Sequence, residues 1–231
     1  MLRELISILR SSDPLRELGA QFTEMLRIAQ ELTLKPGKIF FEGQDRPEER
    51  SWVYDQDVQV NELQRRIRKQ VIAHVSLTGN SADLPYCLLL MSLVKDVERI
   101  GDYSKNLTEI TEFFDGPLPD DDIVAELREV RHGVEAAFDG LAQTLEQADT
   151  ETALRLIRQG KDLARRCDIL VVRAAHSSYD VSTAVAVVLG TRYYKRIGGH
   201  VMNILSSVIM PLHKIDYYDE DSLPAELKTQ P

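Results

Sequence analysis

Apolar side chains recur at alternating spacings of four and three residues along two stretches of the chain. The first stretch comprises Leu93, Val97, Ile100, Ser104, Leu107 and Phe114. The second comprises Tyr194, Ile197, Val201, Ile204 and Val208. This spacing predicts two helices that each pack lengthwise against neighbouring helices along one largely apolar seam. Because the two-residue alternation of strands is hard to find, the chain is predicted to be all-α.

Prolines and capping residues divide the chain into six long predicted helices. Asp13 and Asp83 each stand shortly before a proline, and Asp149 precedes the fifth helix, which is the pattern of a helix start. No proline falls between Pro119 and Pro211. The predicted helices cover residues 13–34, 48–77, 83–114, 120–147, 150–177 and 181–212.

The two seams contain the same short motif at a constant offset of 97 residues. Superposition brings Glu-Arg-Ile-Gly-Asp at 98–102 onto Lys-Arg-Ile-Gly-Gly at 195–199, and Asn106 onto Asn203. A repeat of this length indicates a duplicated three-helix unit. We therefore predict two three-helix bundles in tandem, with spectrin-repeat-like packing. The predicted units are 1–116 and 117–215, followed by an acidic tail at 216–231.

A proline-containing segment, 35–47, falls outside this helical scheme. It contains Lys-Pro-Gly and Gln-Asp-Arg-Pro and is predicted to be a loop. Its paired aromatic residues, Phe40 and Phe41, either pack onto the bundle or are exposed to a partner.

The charge balance excludes one broad class of function. The 231 residues carry a net charge of −9, and the pI is about 5.1, so the chain lacks the basic surface that a nucleic-acid binder needs. The two cysteines, Cys87 and Cys167, lie apart and suggest neither a disulfide framework nor a zinc site. The start, Met-Leu-Arg-Glu, does not resemble a signal peptide, and the apolar runs are shorter than a bilayer span. We expect a cytoplasmic protein.

The residue inventory does not favour an enzyme. The sequence contains no glycine-rich phosphate loop, no HExxH motif and no nucleophile elbow. A di-metal oxidase of the ferritin type would need two Glu-x-x-His pairs, and Glu129 with His132 supplies one.

Four oxygen-bearing side chains form the candidate site. Glu98 and Asp102 are four residues apart on one face of the third helix, and Asp57 and Asn61 have the same spacing on the second. Facing each other, these side chains would offer oxygen ligands to a hard cation. The alternative interpretation is an ion-pair network in which nearby basic residues neutralise the acids. Those basic residues are Lys95, Arg99 and Lys105.

The motif at 98–102, continued by Tyr-Ser-Lys-Asn-Leu at 103–107, resembles the PhoU family of phosphate-uptake regulators. Members of this family are tandem three-helix bundles, with the motif on the third and sixth helices and an acid followed by Asp or Asn on the second and fifth. The resemblance extends from about Leu15 to Leu212. It implies a multinuclear metal cluster, of iron or zinc, held by Asp57, Asn61, Glu98 and Asp102.

The second repeat departs from the family pattern. Lys195 stands at the glutamate position and Gly199 at the aspartate position. The fifth-helix partners fall at Gly160 and Ala164 or, one turn later, at Ala164 and Asp168. We therefore expect at most one metal cluster, in the first repeat.

The resemblance implies a regulator rather than an enzyme. Such a protein contacts a phosphate transporter ATPase, a sodium-phosphate cotransporter or a phosphate-responsive histidine kinase, and it represses uptake and phosphate signalling when phosphate is plentiful. A homodimer is one candidate assembly, and membrane association would be peripheral, through these partners. The alternative is a structural or interaction protein of the same fold that binds no metal.

Overall fold

The computed structural model describes residues 13–43, 47–78, 81–114 and 116–216, and it confirms an all-α fold. The described helices are α1 (Asp13–Glu42), α2 (Pro47–Thr78), α3 (Leu84–Glu109), α4 (Asp122–Asp139), α5 (Leu141–Gln147), α6 (Thr150–Ala175) and α7 (Val181–Ile209). Short 3-10 turns occur at Ser81–Asp83, Ile110–Glu112 and Leu212–Lys214. The described ranges contain no strand.

The helices form the predicted tandem of three-helix bundles. Helices α1, α2 and α3 pack on one another, and α4, α6 and α7 do the same. Helices α3 and α7, which carry the two apolar seams, also pack against each other and join the bundles. Ile100 and Ile197, at equivalent seam positions, are both completely buried. The seams therefore serve both the packing within each bundle and the packing between the bundles.

The fourth predicted helix is interrupted. The backbone at Gly140 separates α4 from α5, and the hydroxyl of Thr144 donates to the Gly140 carbonyl at 2.7 Å. The helix start is also two residues later than predicted, because the carboxylate of Asp121 accepts hydrogen bonds from the backbone N–H groups of Ile123 and Val124.

The prediction of a loop at 35–47 is wrong for most of its length. Helix α1 continues through Pro36 to Glu42 and ends where Gly43 adopts a positive φ of 63°. Proline removes one backbone hydrogen bond from a helix. The burial of Phe40 and Phe41 stabilises the helix by more than the loss of that hydrogen bond destabilises it. Both rings are 1% exposed.

The paired phenylalanines connect the two repeats. The Phe40 ring fills the space that a side chain at Gly190 of α7 would occupy. The Phe41 ring lies 6.1 Å from that of Tyr194, and the guanidinium of Arg128 sits 4.7 Å above it. Of the two alternatives for these residues, packing onto the bundle is the one observed.

Three further predictions concern the acidic tail, the two cysteines and membrane-spanning segments. The acidic tail lies outside the described residues except for Asp216, whose backbone N–H donates to the hydroxyl of Ser206. Cys87 and Cys167 are both buried free thiols. Within the described ranges, every helix is too short or too polar to cross a bilayer.

Candidate functional site

The structure brings the four predicted site residues to facing sides of α2 and α3. The apolar seam of α3 turns inward, so Glu98 and Asp102 flank the groove between the helices. From α2, Asp57 projects into the groove and is only 6% exposed. The amide nitrogen of Asn61 donates to Asp57 Oδ2 at 3.4 Å. We refer to Asp57, Asn61, Glu98 and Asp102 as the acidic cluster.

A lysine bridges two carboxylates of the acidic cluster. The ammonium nitrogen of Lys105 lies 2.9 Å from Asp57 Oδ2 and 3.8 Å from Asp102 Oδ1, so it bridges the two helices. Burial acts to lower the pKa of Lys105, but the hydrogen bond and charge of Asp57, together with Asp102, hold that pKa above its ordinary value. The lysine is therefore firmly protonated.

A second cation neutralises the outer edge of the cluster. The guanidinium of Arg99 lies 3.1 Å from Asp102 Oδ2 and 3.5 Å from Glu98 Oε2. Burial, followed by the charge of Asp102, raises the pKa of Glu98. Lys95, the third predicted neutralising residue, points elsewhere and lies 3.9 Å from Asp216 Oδ2.

This arrangement does not fit a metal cluster. The Lys105 ammonium stands where a cation would have to lie to reach Asp57 and Asp102 together, and the two positive charges would repel. Across the described ranges, no group of three or more His, Cys, Asp or Glu side chains is placed to hold a metal ion. The geometry matches the ion-pair interpretation.

The equivalent region of the second repeat is basic. The ammonium of Lys195, at the position of Glu98, lies 2.6 Å from both carboxylate oxygens of Asp168 on α6. Arg192 lies 3.3 Å from the same carboxylate. At Gly199, the position of Asp102, a side chain would meet nothing within 4 Å. A Cβ at Gly160 would lie 2.5 Å from Met202 Sδ, and Met202 stands at the position of Lys105, the partner of Asp57. This contact matches the register of Gly160 and Ala164.

A buried polar network between the repeats was not anticipated from the sequence. Asp96 of α3 is completely buried, and its Oδ1 lies 2.7 Å from His200 Nδ1 and 2.9 Å from Asn203 Nδ2, both on α7. The available signal was the acid itself, which stands between the seam residues Leu93 and Val97. Such a position requires partners from a neighbouring helix, since a buried charge without them is costly.

The Glu-x-x-His pair lies on the surface. Glu129 and His132 are both largely exposed on α4, with 4.0 Å between Oε1 and Nδ1. They face solvent rather than the interior of the bundle, where a ferritin-type centre would have to be built. The oxidase alternative therefore loses its structural basis.

The protein is therefore a duplicated helical-bundle protein. Its two three-helix bundles are joined along their seam helices, and a charged cluster lies between α2 and α3. Residues 22–111, which contain the acidic cluster, match the family model of the PhoU domain. The first repeat therefore contains a PhoU domain.

Solved structures show the same fold over both repeats. PhoU from Pseudomonas aeruginosa is similar with a TM-score of 0.76 and 18% identity, covering 87% of this chain and 97% of that one. The phosphate transport system regulatory protein PhoU from Streptococcus pneumoniae is similar with a TM-score of 0.72 and 13% identity, covering 84% and 92%. A comparison with curated proteins finds no match.

Proposed function

We propose that this protein regulates phosphate transport and phosphate homeostasis. The observation that carries the proposal is the PhoU domain at residues 22–111, which includes the whole acidic cluster. Further support comes from the fold, since one of the similar structures is named as a phosphate transport system regulatory protein.

The proposed mode of action is contact with other proteins rather than catalysis. In this role the chain binds a phosphate transporter or a phosphate-responsive sensor kinase and lowers uptake when phosphate is plentiful. The thiols support a non-catalytic role, because burial raises the pKa of Cys167 to about 12 and also raises that of Cys87. Neither is an activated nucleophile.

The physiological test compares a deletion strain with its complemented derivatives. Phosphate uptake and a phosphate-responsive reporter should rise in the deletion strain under phosphate-replete growth and return to the original level with the intact gene. Unchanged uptake and an unchanged reporter in the deletion strain would contradict the proposed role.

Lys105 favours a second form of this proposal, an adaptor that works without metal. Its ammonium already supplies the positive charge that the acids of the first repeat require. The metal-binding form, with iron or zinc held by Asp57, Asn61, Glu98 and Asp102, stays a prediction. These residues would supply carboxylate and amide oxygens to such a cluster only after Lys105 had moved away.

Elemental analysis of the purified protein separates the two forms. The adaptor without metal predicts substoichiometric iron and zinc in the wild type and in Asp102→Ala. Lys105→Gln should then gain metal affinity, because the competing ammonium is gone, whereas Lys69→Gln, an exposed lysine on the same helix as Asp57, should not. Stoichiometric metal in the wild type, reduced in Asp102→Ala, would instead establish the metal-binding form.

A further inference from the structure

A groove between the two repeats is lined by residues that the proposed function does not use. It lies between α3 of the first repeat and α6 and α7 of the second, is open to solvent and has a volume of about 840 Å³. Volumes of about 300–1,000 Å³ are usual for small-molecule sites, which often lie at junctions between structural units. The residues that carry the argument are Tyr103, Arg192, Tyr193, Lys195, Arg196 and His200. We call this region the inter-repeat groove.

The groove is positively charged on a protein whose net charge is −9. Arg192, Lys195 and Arg196 line it, and Asp168 is the acid that pairs with the first two. Arg196 is exposed and has no ion-pair partner among the described residues. Three cations against one carboxylate leave a local excess of about two positive charges, which suits a doubly charged anion. Asp96, the buried acid nearest His200, already has that imidazole as its partner.

The geometry of the pairing leaves the cations available. Asp168 is 55% exposed, and the hydrogen bond from Lys195, followed by its charge, lowers the pKa of that carboxyl. An exposed pair of this kind contributes little to folding stability, so exchanging Asp168 for another anion costs little. Gly199 leaves the adjoining wall open, since no atom lies within 4 Å of the position of a Cβ.

An aromatic wall borders the basic side. The Tyr103 ring stacks on the His200 imidazole, with 5.8 Å between centroids and 17° between planes. Tyr193 extends this wall at 6.2 Å from Tyr103. Arginine forks match phosphate oxygens in two-point hydrogen bonds, and aromatic faces stack on nucleobases.

We propose that the inter-repeat groove binds a phosphate-bearing small molecule, whose phosphate displaces Asp168 from Lys195 and Arg192 and also contacts Arg196. The shared chemistry is the phosphate group, which free inorganic phosphate and a nucleotide both offer. This site is independent of the regulatory role, because it rests on the charges and shape of the inter-repeat groove alone.

Isothermal titration of the full chain with inorganic phosphate, and separately with AMP, tests the proposal. Lys195→Gln and Arg196→Gln should each weaken binding about tenfold, the loss of one charge-assisted contact. Asp168→Asn should strengthen binding at least about threefold, because it removes the internal competitor. Arg65→Gln, which removes an exposed charge from α2, is the matched control and should bind like the wild type.

The outcomes distinguish the sources and the site. Tighter binding of AMP than of phosphate, reduced for AMP alone in Tyr193→Leu, identifies a nucleotide that uses the aromatic wall. Equal affinity for both identifies a site for the phosphate group. If neither phosphate nor AMP binds at millimolar concentration, the proposal is wrong. It is also wrong if Arg65→Gln weakens binding as much as Lys195→Gln and Arg196→Gln do, or if Asp168→Asn binds more weakly than the wild type. None of these results bears on the phosphate-uptake phenotype, so the two proposals fail separately.

Discussion

The surroundings of Gly101 in the first repeat and of Gly198 in the second show what a duplicated helix preserves and what it changes. Both glycines follow a completely buried isoleucine, and both lie on the helices that join the bundles. Beside Gly101, buried Asp57 meets Lys105 at 2.9 Å. One turn before Gly198, Lys195 meets the exposed Asp168 at 2.6 Å.

The difference lies in the sign and burial of the charges. The apolar seam is shared because a close-packed interior tolerates little change of volume. The charged residues that flank the seam can differ between the repeats, provided that a neighbouring helix supplies a side chain of opposite charge. In the first repeat Lys105 neutralises two acids, whereas in the second Lys195 stands at the position of Glu98 and the surface is basic.

The largest expected effect tests the shared part of the comparison. Ile100→Ala and Ile197→Ala should each lower the free energy of unfolding by about 3 kcal/mol, since each leaves a cavity at a completely buried position. Urea unfolding followed by circular dichroism measures both. A loss below about 1 kcal/mol in one repeat alone would show that the two seams are not equivalent.

The next largest effect tests the difference in charge and burial between the two repeats. Lys105→Met should destabilise the fold by about 2–4 kcal/mol, because it leaves the buried Asp57 carboxylate without its cation. Lys195→Met should change stability by less than about 1 kcal/mol, because its partner Asp168 is half exposed. The midpoints of urea unfolding give the comparison.

A double variant separates the buried pair from general packing effects. Asp57→Asn combined with Lys105→Met removes both charges, so it should recover much of the stability that the single lysine change loses. A double variant as unstable as the sum of the two single variants would show that the charges of Asp57 and Lys105 are not energetically coupled.

A smaller effect concerns the two glycines. A Cβ at Gly101 would meet Leu32 at 3.6 Å and Val60 at 3.8 Å, which are ordinary contacts. Gly101→Ala should therefore stabilise the protein by about 0.5–1 kcal/mol through helix propensity. Gly198→Ala should gain less, because its Cβ would lie 3.3 Å from Val134 Cγ2. Thermal unfolding measures both, and a loss of stability at position 101 would contradict this interpretation.

The fold was largely predictable because its signals are local. Seam periodicity and capping aspartates lie within each helix, and Asp149 caps α6 as predicted, with its carboxylate accepting from the Thr152 backbone N–H. The failure at 35–47 has a non-local cause. Pro36 is a strong local signal for a break, but the helix is sustained by phenylalanines that pack on α7 of the other repeat.

The sequence predicts which acidic residues lie together at the candidate site, but it does not predict which cation neutralises them. The spacing of Glu98 and Asp102 places both on one face, whereas which of three basic residues would neutralise them depends on how α2 and α3 pack. The Asp96 network escaped prediction because its partners His200 and Asn203 lie 104 and 107 residues further along the chain. Long-range packing of this kind has no periodic signature.

The smallest effect concerns Glu98, whose negative charge destabilises the folded protein slightly. Because burial and the charge of Asp102 raise the pKa of Glu98, its ionised form is less favourable in the folded chain than in the unfolded one. Glu98→Gln should therefore increase stability at pH 7 by a few tenths of a kcal/mol. The gain should vanish below about pH 4, where the wild-type carboxyl is itself protonated. Lys195→Gln, at the equivalent position, should show no such gain, because Lys195 faces an opposite charge. A stabilisation by Glu98→Gln that persists at low pH would assign the effect to packing instead of charge.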